Sequence, residues 1–527
     1  MPKLPAWLPG LRPALIAPAA GALSALAFPT WDLWPLALVG LAPLFWLART
    51  LRPLPAVIAG WLFGVGLGAA QLHWLTVVMT VYGGLAWPLA GLLLLGLAGI
   101  VAIYPAAWAG LMAWSRVGPA GAVLLGAALW AGLEWVRGWL FTGFPWLPLS
   151  AALTSRPALI QSAELWGATG LSAMVALING LIACAVLPGG AAGPGRPRRW
   201  AALGLAAILL AGGWWAGAAR MAAVERLATD APRLTVSVAQ AGIGQDQLWR
   251  PEMRLTVIRR YVELTQAQAP AASAGAPPWL AVWPESAAPF YFLLQARESA
   301  PVLQTAAELG AYVALGSNGM VDRGPPLKAS NRVWLVGPQG RPEGHYDKVH
   351  LVPFGEYVPL PDIFFFARAV AGLGIDFVPG RVGDTLSVGG VKVGPLICYE
   401  SIFPELARAQ RQLGAVLLIN QTNDAWYGRT GASYQHMSHL RLRAVENRVA
   451  VARAATTGVS CFVLPDGAVT HATELFTPAA ATRELPLLKL PTLFTATGDV
   501  AGPLGLALGL AATVWLGPGR RRRKRED

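Results

Sequence analysis

Charge is scarce in this sequence: only 13% of its 527 residues are Asp, Glu, Lys or Arg, against the ~25% of an average soluble chain. So few charges leave two classes, a protein with one very large core or a membrane protein. Acidic residues are the scarcest, 28 against 41 basic, for a net charge of +13. That excess does not point to nucleic acid: no nucleic-acid motif accompanies it, and the basic residues fall in short clusters beside apolar blocks. Cysteine is nearly lacking too. Cys184, Cys398 and Cys461 are an odd count without metal-ligand spacing, which argues against a disulfide framework and against a zinc site.

What is abundant is apolar, 55% of the chain, and it comes in blocks of about the ~20 residues a helix needs to cross a bilayer. The blocks fall at roughly 13–29, 34–50, 55–78, 86–114, 119–137, 165–187 and 200–218, with one more at 493–516. The first could be misread as a signal peptide. A second block follows within a few residues, so an uncleaved span is the reading. The expectation is an α-helical bundle of eight spans: seven in 1–218, a mixed region at 219–488, the eighth span in 489–517, and a basic tail at 518–527. A Gly- and Pro-rich connection links the sixth and seventh spans.

Charge sets the expected orientation. With the N-terminus in the cytoplasm, the cytoplasmic segments hold Lys3, Arg12, Arg49, Arg52, Arg116, Arg196, Arg198, Arg199 and the tail Arg520 to Arg525. The opposite segments hold Asp32, a neutral stretch around Tyr82, and 138–157 with Arg156. Positive charge is held inside throughout. Both termini are then cytoplasmic and the mixed region is periplasmic, since long domains translocate largely regardless of their own charge. The bacterial inner membrane is the expected location.

The mixed region alternates short β-rich runs with helical stretches. Strands are expected at 234–240, 280–284, 312–317, 332–336, 393–398, 416–420, 449–453 and 461–464, and helices at 251–268, 302–309 and 434–448. The last helix carries Arg441, Arg443, Glu446 and Arg448 on one face. This alternation indicates a layered α/β domain, large enough to bury its own core.

Three segments stand out in it. Val282-Trp283-Pro284-Glu285-Ser286 puts a carboxylate just past an apolar strand. The stretch from Tyr346 through Lys348 to Glu356 and Tyr357 puts a Lys and a Glu in a Gly/Pro loop. Gly394-Pro395-Leu396-Ile397-Cys398-Tyr399-Glu400 ends a buried strand on a thiol. Singly, each has an ordinary explanation: a packed Cys, a solvated Glu, a solvated Lys. Together, in the order Glu, Lys, Cys and each after a strand, they are specific, because catalytic groups gather where a rigid scaffold can aim them.

These segments resemble the three catalytic segments of the nitrilase superfamily, and Asn423-Asp424-Ala425-Trp426-Tyr427-Gly428 resembles its segment after the nucleophile strand. With seven spans before and one after, the chain is similar to the apolipoprotein N-acyltransferase family. Asp32-Leu33-Trp34-Pro35-Leu36 and the run from Gly138 to Trp146 add to that likeness. The resemblance implies a nitrilase-like α-β-β-α sandwich beside the bundle. It implies Glu285 as general base, Lys348 as oxyanion-stabilising cation and Cys398 as nucleophile, with Glu356, Tyr399 and Glu400 supporting. Trp249 would lie on a loop near the lipid. The segments around Ser433 to His436 and Thr492 to Asp499 depart from the pattern, away from the triad.

The chemistry implied is transfer of a fatty-acyl chain from a phospholipid, through a thioester on Cys398, to the α-amine of a lipid-modified N-terminal cysteine on an apolipoprotein. A thiol is a weak nucleophile until a base takes its proton. A carboxylate can do this, and an imidazole is not required. Neither cofactor nor metal is expected. His436 and His439 share a helix face, but no carboxylate or third ligand accompanies them. The aromatic run 363–368, with Phe365 and Phe366, and the stretch 371–377 read as a lid or membrane-dipping arm, or equally as an ordinary buried segment. Within the spans, Glu134 and Arg137 are spaced to pair, and His73 and Trp74 read as packing. Two other readings remain open: a membrane-tethered amidase acting on a small amide, and a transporter with an outer domain.

Overall fold

The computed structural model describes residues 10–115, 117–186, 196–270, 278–324, 327–360, 362 and 376–516. The chain divides into two compact units. One comprises the chain up to Thr80, Gly84–Met221 and the chain from Thr497 on; the other comprises Val81–Gly83 and Ala222–Ala496.

The first unit is helical. Among the described residues, five helices are long and apolar enough to cross a membrane: Pro53–Gln71, Trp87–Ser115, Pro119–Arg137, Ala163–Val186 and Pro197–Thr229. Where the first, second and eighth spans were expected, the apolar helices are shorter, at Leu11–Ala27, Trp34–Thr50 and Ala501–Leu516. The third expected span, 55–78, ends early at Gln71, and the ring of His73 turns back to the carbonyl of Ala70 at 2.9 Å. Small residues let helices approach closely. A Cβ on Gly132 would meet the backbone of Leu506 at 2.5 Å, and one on Gly505 the carbonyl of Ala128 at 2.7 Å. Asn179, buried, satisfies loose backbone, donating to Ala37 O (2.7 Å) and accepting from Leu41 N–H (2.8 Å). An unpaired backbone group there would cost several kcal/mol.

Glu134 and Arg137, spaced so that they could pair, do attract each other, and the Glu134 Oε2 also accepts from the backbone N–H of Leu149 at 2.9 Å and from the Trp130 indole at 3.3 Å. A bidentate ion pair in this unit joins Arg220 to Glu164, at 2.7 and 2.8 Å, two residues the sequence did not single out.

The second unit is an α-β-β-α sandwich. Its strands are β1 (Arg233–Gln240), β2 (Trp279–Val282), β3 (Ala288–Tyr291), β4 (Tyr312–Asp322), β5 (Lys328–Val336), β6 (Pro342–Asp347) and β7 (Asp376–Phe377). There follow β8 (Leu386–Val388), β9 (Val391–Ile397), β10 (Leu417–Thr422), β11 (Ala450–Ala455), β12 (Cys461–Val463), β13 (Val469–Thr470) and β14 (Ala479–Pro486). One sheet runs β14-β1-β2-β4-β5-β6, with β3 on β4 and β7 on β5; the other runs β13-β12-β11-β10-β9-β8. Between them lies a core of Val236, Val282, Val333, Ile397, Ile419 and Ala452, among others. The helices Arg254–Gln266 and Ala296–Leu309 cover the first sheet's outer face. Pro404–Gln412 and Ala432–Asn447 cover the second's.

Parallel strands β1, β2 and β4 in one sheet, and β9, β10 and β11 in the other, are buried on both faces. That is why apolar residues appear on both faces of these strands, as in Trp279–Val282. The helix Ala432–Asn447, read as bearing charge on one face, is buried nearly throughout. Arg443 pairs with Glu446 at 2.8 Å, and Arg448 donates to Pro465 O at 3.0 Å. Strand β14 was not expected. It pairs antiparallel with β1 over its whole length, and Ser237 and Thr482 bridge across at 2.7 Å.

Candidate active site

Glu285 lies two residues beyond Trp283, just past β2. Its loop is pinned to β4: Trp283 N–H donates to Ala314 O (2.8 Å) and Gly316 N–H to Pro284 O (3.1 Å). The buried Trp283 indole stacks on Tyr261 and donates to Thr265 Oγ1 at 2.9 Å. A side chain cannot be added at this crossing. A Cβ on Gly316 would stand 2.6 Å from both Glu285 Cα and Pro284 O.

Lys348 follows β6, and its N–H donates to Asn331 O on β5 at 2.8 Å. Its ammonium, buried, donates to Glu356 Oε1 at 2.9 Å and lies 3.4 Å from Glu285 Oε1. Asn331 Nδ2 donates to both of those oxygens, at 2.6 Å to Glu285 and 2.9 Å to Glu356. The remaining carboxylate oxygens are held by backbone, Glu285 Oε2 by Asn423 N–H (2.8 Å) and Glu356 Oε2 by Val352 N–H (2.7 Å). One cation, one amide and two carboxylates thus form a closed cluster. Burial alone would lower the lysine's pKa, but Glu356 and then Glu285 outweigh it and hold the ammonium well above its ordinary range.

Cys398 follows β9 in the left-handed region, at φ 49°, a conformation that strains a residue with a Cβ. Its thiol is buried. Burial raises its pKa, the Glu285 charge raises it further, and Lys348 works against both; the net is a thiol well above the ordinary value. Such a group rests protonated and needs a base at the moment of attack. Glu285 is anchored by Asn331, Lys348 and Asn423, and its carboxylate acts electrostatically on that thiol.

Glu400 shapes the turn. Its Oε2 accepts from Ile397 N–H (2.6 Å), and its Oε1 from Val349 N–H (2.6 Å) and His350 N–H (3.2 Å); Tyr346 OH donates to both oxygens. One side chain therefore ties the cysteine turn to the lysine loop. Burial raises its pKa to about 7, opposed by those N–H donors. Tyr399 is buried against Phe403, itself stacked on His350 at 3.8 Å. Burial, then the Lys348 charge, lowers His350 to about 4, so it is uncharged at neutral pH.

Trp249 follows the turn Gln245–Leu248 and is 41% exposed. Phe365 and Phe366 lie outside the described residues. Asn331 was missed from the sequence, since it stands in a mixed strand beside Ser330 and Arg332; Asn423 was singled out only as part of the segment after the nucleophile strand, without a role. Tyr82 was missed as well. It belongs to the second unit, where its hydroxyl donates to Ala425 O at 2.8 Å and its ring meets Trp426 edge-on. His436, read as having no carboxylate nearby, lies 3.1 Å from Asp424 Oδ1. That carboxylate comes from the segment after β10, twelve residues away, which helix-face spacing could not reveal.

Residues 20–181 match the family model described as the apolipoprotein N-acyltransferase N-terminal domain, and residues 235–489 match the carbon-nitrogen hydrolase model. An apolipoprotein N-acyltransferase from Geobacter metallireducens is 37% identical, covering 93% of this chain and 92% of its own. Those from Methylococcus capsulatus and Brucella suis biovar 1 are 32% and 34% identical, each over 97% of this chain and over 97% and 96% of their own. With both parts matched in order and relatives aligned over nearly their full length, the chain belongs to the apolipoprotein N-acyltransferase family.

Proposed function

We propose that this membrane enzyme takes an acyl chain from a phospholipid onto Cys398 and passes it to the α-amine of a diacylglyceryl-cysteine at the N-terminus of an apolipoprotein. The observation that carries the reading is the buried cluster of Glu285, Asn331, Lys348 and Glu356, placed where its charges act on the Cys398 thiol.

In the first half-reaction the Cys398 sulfur attacks the ester carbonyl, and Glu285 takes the thiol proton. Charge builds on the carbonyl oxygen, to be met by the Lys348 ammonium and the backbone N–H of Tyr399. The ester C–O bond breaks, and the departing lysophospholipid oxygen takes the proton from Glu285. In the second half-reaction the amine attacks the thioester carbonyl, giving up a proton to Glu285. The C–S bond breaks, and that proton returns to the sulfur. The product amide is more stable than either ester, so the transfer runs downhill without ATP. Glu356 and Asn331 hold Glu285 and Lys348 in register, and Glu400 and Tyr399 hold the turn. Trp249, with the aromatic run containing Phe365 and Phe366, would contact lipid.

In this reading the protein lies in the bacterial inner membrane with eight spans, the three shorter apolar helices included. Domain bounds are those expected above, with 219–488 periplasmic and both termini cytoplasmic. Tyr82 supports the side: charge puts its loop outside, and it belongs to the catalytic unit. Both substrates are anchored in the outer leaflet, which gives the spans a use beyond tethering.

Purified enzyme incubated with acyl-labelled phospholipid should carry the label on Cys398 by mass and release it on adding a diacylglyceryl-cysteine peptide. Two substrates sharing one covalent intermediate give parallel double-reciprocal plots. An unlabelled Cys398 together with hydrolysis of small amides would overturn the reading in favour of an amidase.

A further inference from the structure

Beneath Cys398 lies a buried chain of side chains that none of these steps uses. Ser401, Asp424, His436 and Arg453 are all fully buried. Arg453 Nη2 donates to Asp424 Oδ2 at 2.6 Å, and Asp424 Oδ1 faces His436 Nδ1 at 3.1 Å. On its other side, His436 Nε2 faces the Cys398 carbonyl oxygen at 3.0 Å and the Ser401 hydroxyl at 2.8 Å. That hydroxyl also donates to the Cys398 carbonyl, at 3.0 Å. Four elements meet here: the cysteine turn, the segment after β10, the helix Ala432–Asn447 and β11.

A serine, a histidine and an aspartate in a row suggest a second nucleophilic centre. Two observations exclude it. The Ser401 hydroxyl is spent on a backbone carbonyl, and no solvent reaches it. What the chain does contact is one oxygen, and that oxygen matters. A carbonyl only accepts, so the clamp uses the tautomer in which His436 Nε2 carries the hydrogen and Nδ1 accepts from Arg453 Nη2 at 3.3 Å. Asp424 and Arg453 hold the other edge of the ring and fix its rotation. The Cys398 carbonyl shares a rigid, planar trans peptide with the Tyr399 N–H, and the two point in opposite directions. Fixing one end of that plane fixes the other. The need is real, because Cys398 sits in the strained left-handed region.

We infer that His436 and Ser401 clamp the Cys398 carbonyl and thereby aim the Tyr399 N–H at the oxyanion. They are positioning residues, with Asp424 and Arg453 as their anchor. The inference rests on the acyl-transfer reading, in which that N–H is an oxyanion donor.

The test uses full-length enzyme in phosphatidylethanolamine vesicles, with a diacylglyceryl-cysteine peptide as acceptor and two readouts. One is acyl transfer, which builds a carbonyl oxyanion. The other is alkylation of Cys398 by iodoacetamide: an S–C bond forms, iodide leaves and Glu285 takes the proton, with no oxyanion. For His436→Ala, kcat for transfer falls roughly 10- to 100-fold, somewhat less than deleting an oxyanion donor outright. KM for the phospholipid stays within about twofold, and alkylation stays within about threefold of the parent. His436→Gln, which restores an N–H within reach of the carbonyl, recovers most of the loss. Ser401→Ala removes one hydroxyl with little risk to folding and lowers kcat several-fold in the same selective way. Parent-like kcat in both variants would overturn the inference. So would alkylation falling in step with transfer without rescue by Gln, the mark of general packing. If the parent neither acylates Cys398 nor transfers, the acyl-transfer reading itself has failed, and the clamp fails with it.

Discussion

Two carboxylates share one ammonium and one amide in this site, so each side chain depends on the others. Lys348→Ala would leave Glu285 and Glu356 buried without their cation. The expected result is loss of about 10²–10³ in kcat from the missing oxyanion partner. A fall in thermal midpoint should accompany it, because breaking a buried pair costs about 3–5 kcal/mol. Retained transfer would remove Lys348 from the mechanism. Asn331 donates to both carboxylates and to nothing else in the cluster. Asn331→Ala should lower acylation about tenfold, measured as the rate at which label appears on Cys398. The thiol predicts a pH profile. Burial first, and the Glu285 charge second, raise its pKa, so the thiolate is disfavoured up to high pH. In Glu285→Gln the base and the second of these causes are both removed. Iodoacetamide alkylation followed between pH 6 and 11 should then rise with its inflection still above the ~8.5 of a free thiol, because burial remains. An inflection at or below 8.5 would mean the sulfur is more exposed than it is here. Glu285, Lys348 and Cys398, which the structure brings together, were singled out in the sequence because each follows a strand inside a recognisable motif. Asn331 was not, because an inward-facing Asn in a strand announces a buried hydrogen bond without naming its partners.

The elements place these groups by crossing closely. Gly316 on β4 lies so near the Glu285 loop that Gly316→Ala must push strand or loop aside. The expected cost is about 1–3 kcal/mol of overpacking, with acylation falling more than stability, since Glu285 moves with its loop. Thermal midpoint and acylation rate, measured on one preparation, separate the two effects. The parallel strands β1, β2, β4, β9, β10 and β11 were readable as short β-rich runs. Strand β14 was not. Its Ala-Ala-Ala-Thr-Arg-Glu has poor strand propensity, and only the pairing with β1 makes it a strand. Nor did helical spacing reveal that Ala432–Asn447 is buried, with Arg443 donating to Glu446 inside the unit. The same burial governs acid stability. Burial would raise the pKa of Asp424, but Arg453 and His436 outweigh it and hold it below the usual carboxylate range. A depressed folded pKa means the unfolded chain binds the proton first, so this stability is present above pH ~4 and lost as pH falls through the folded value. Asp424→Asn should therefore lower the thermal midpoint at pH 7, and the gap to the parent should narrow below pH ~4. A gap that stays constant would remove ionisation from the account.

At the scale of the whole molecule, composition and charge decide more than any motif. The scarcity of charge, and its segregation into clusters beside apolar blocks, is a property of the entire chain, and it survives errors of several residues in any one span. That is why the membrane class was legible while the bounds were not: an apolar block such as 55–78 gives no sign that its helix stops at Gln71. The proposed orientation rests on the same distribution and can be tested in intact cells. Glu343 is exposed on the catalytic unit, and Arg198 is exposed in the basic cluster at the start of the longest helix. In spheroplasts, a membrane-impermeant maleimide should label a thiol introduced by Glu343→Cys without permeabilisation. A thiol introduced by Arg198→Cys should be labelled only after detergent opens the bilayer. Peptide mass assigns each label, so the three native cysteines do not confuse the result. The reverse pattern would place the catalytic unit in the cytoplasm. It would then be separated from outer-leaflet lipid by the full ~30 Å of hydrocarbon, and a sulfur there could not take an acyl chain from that leaflet.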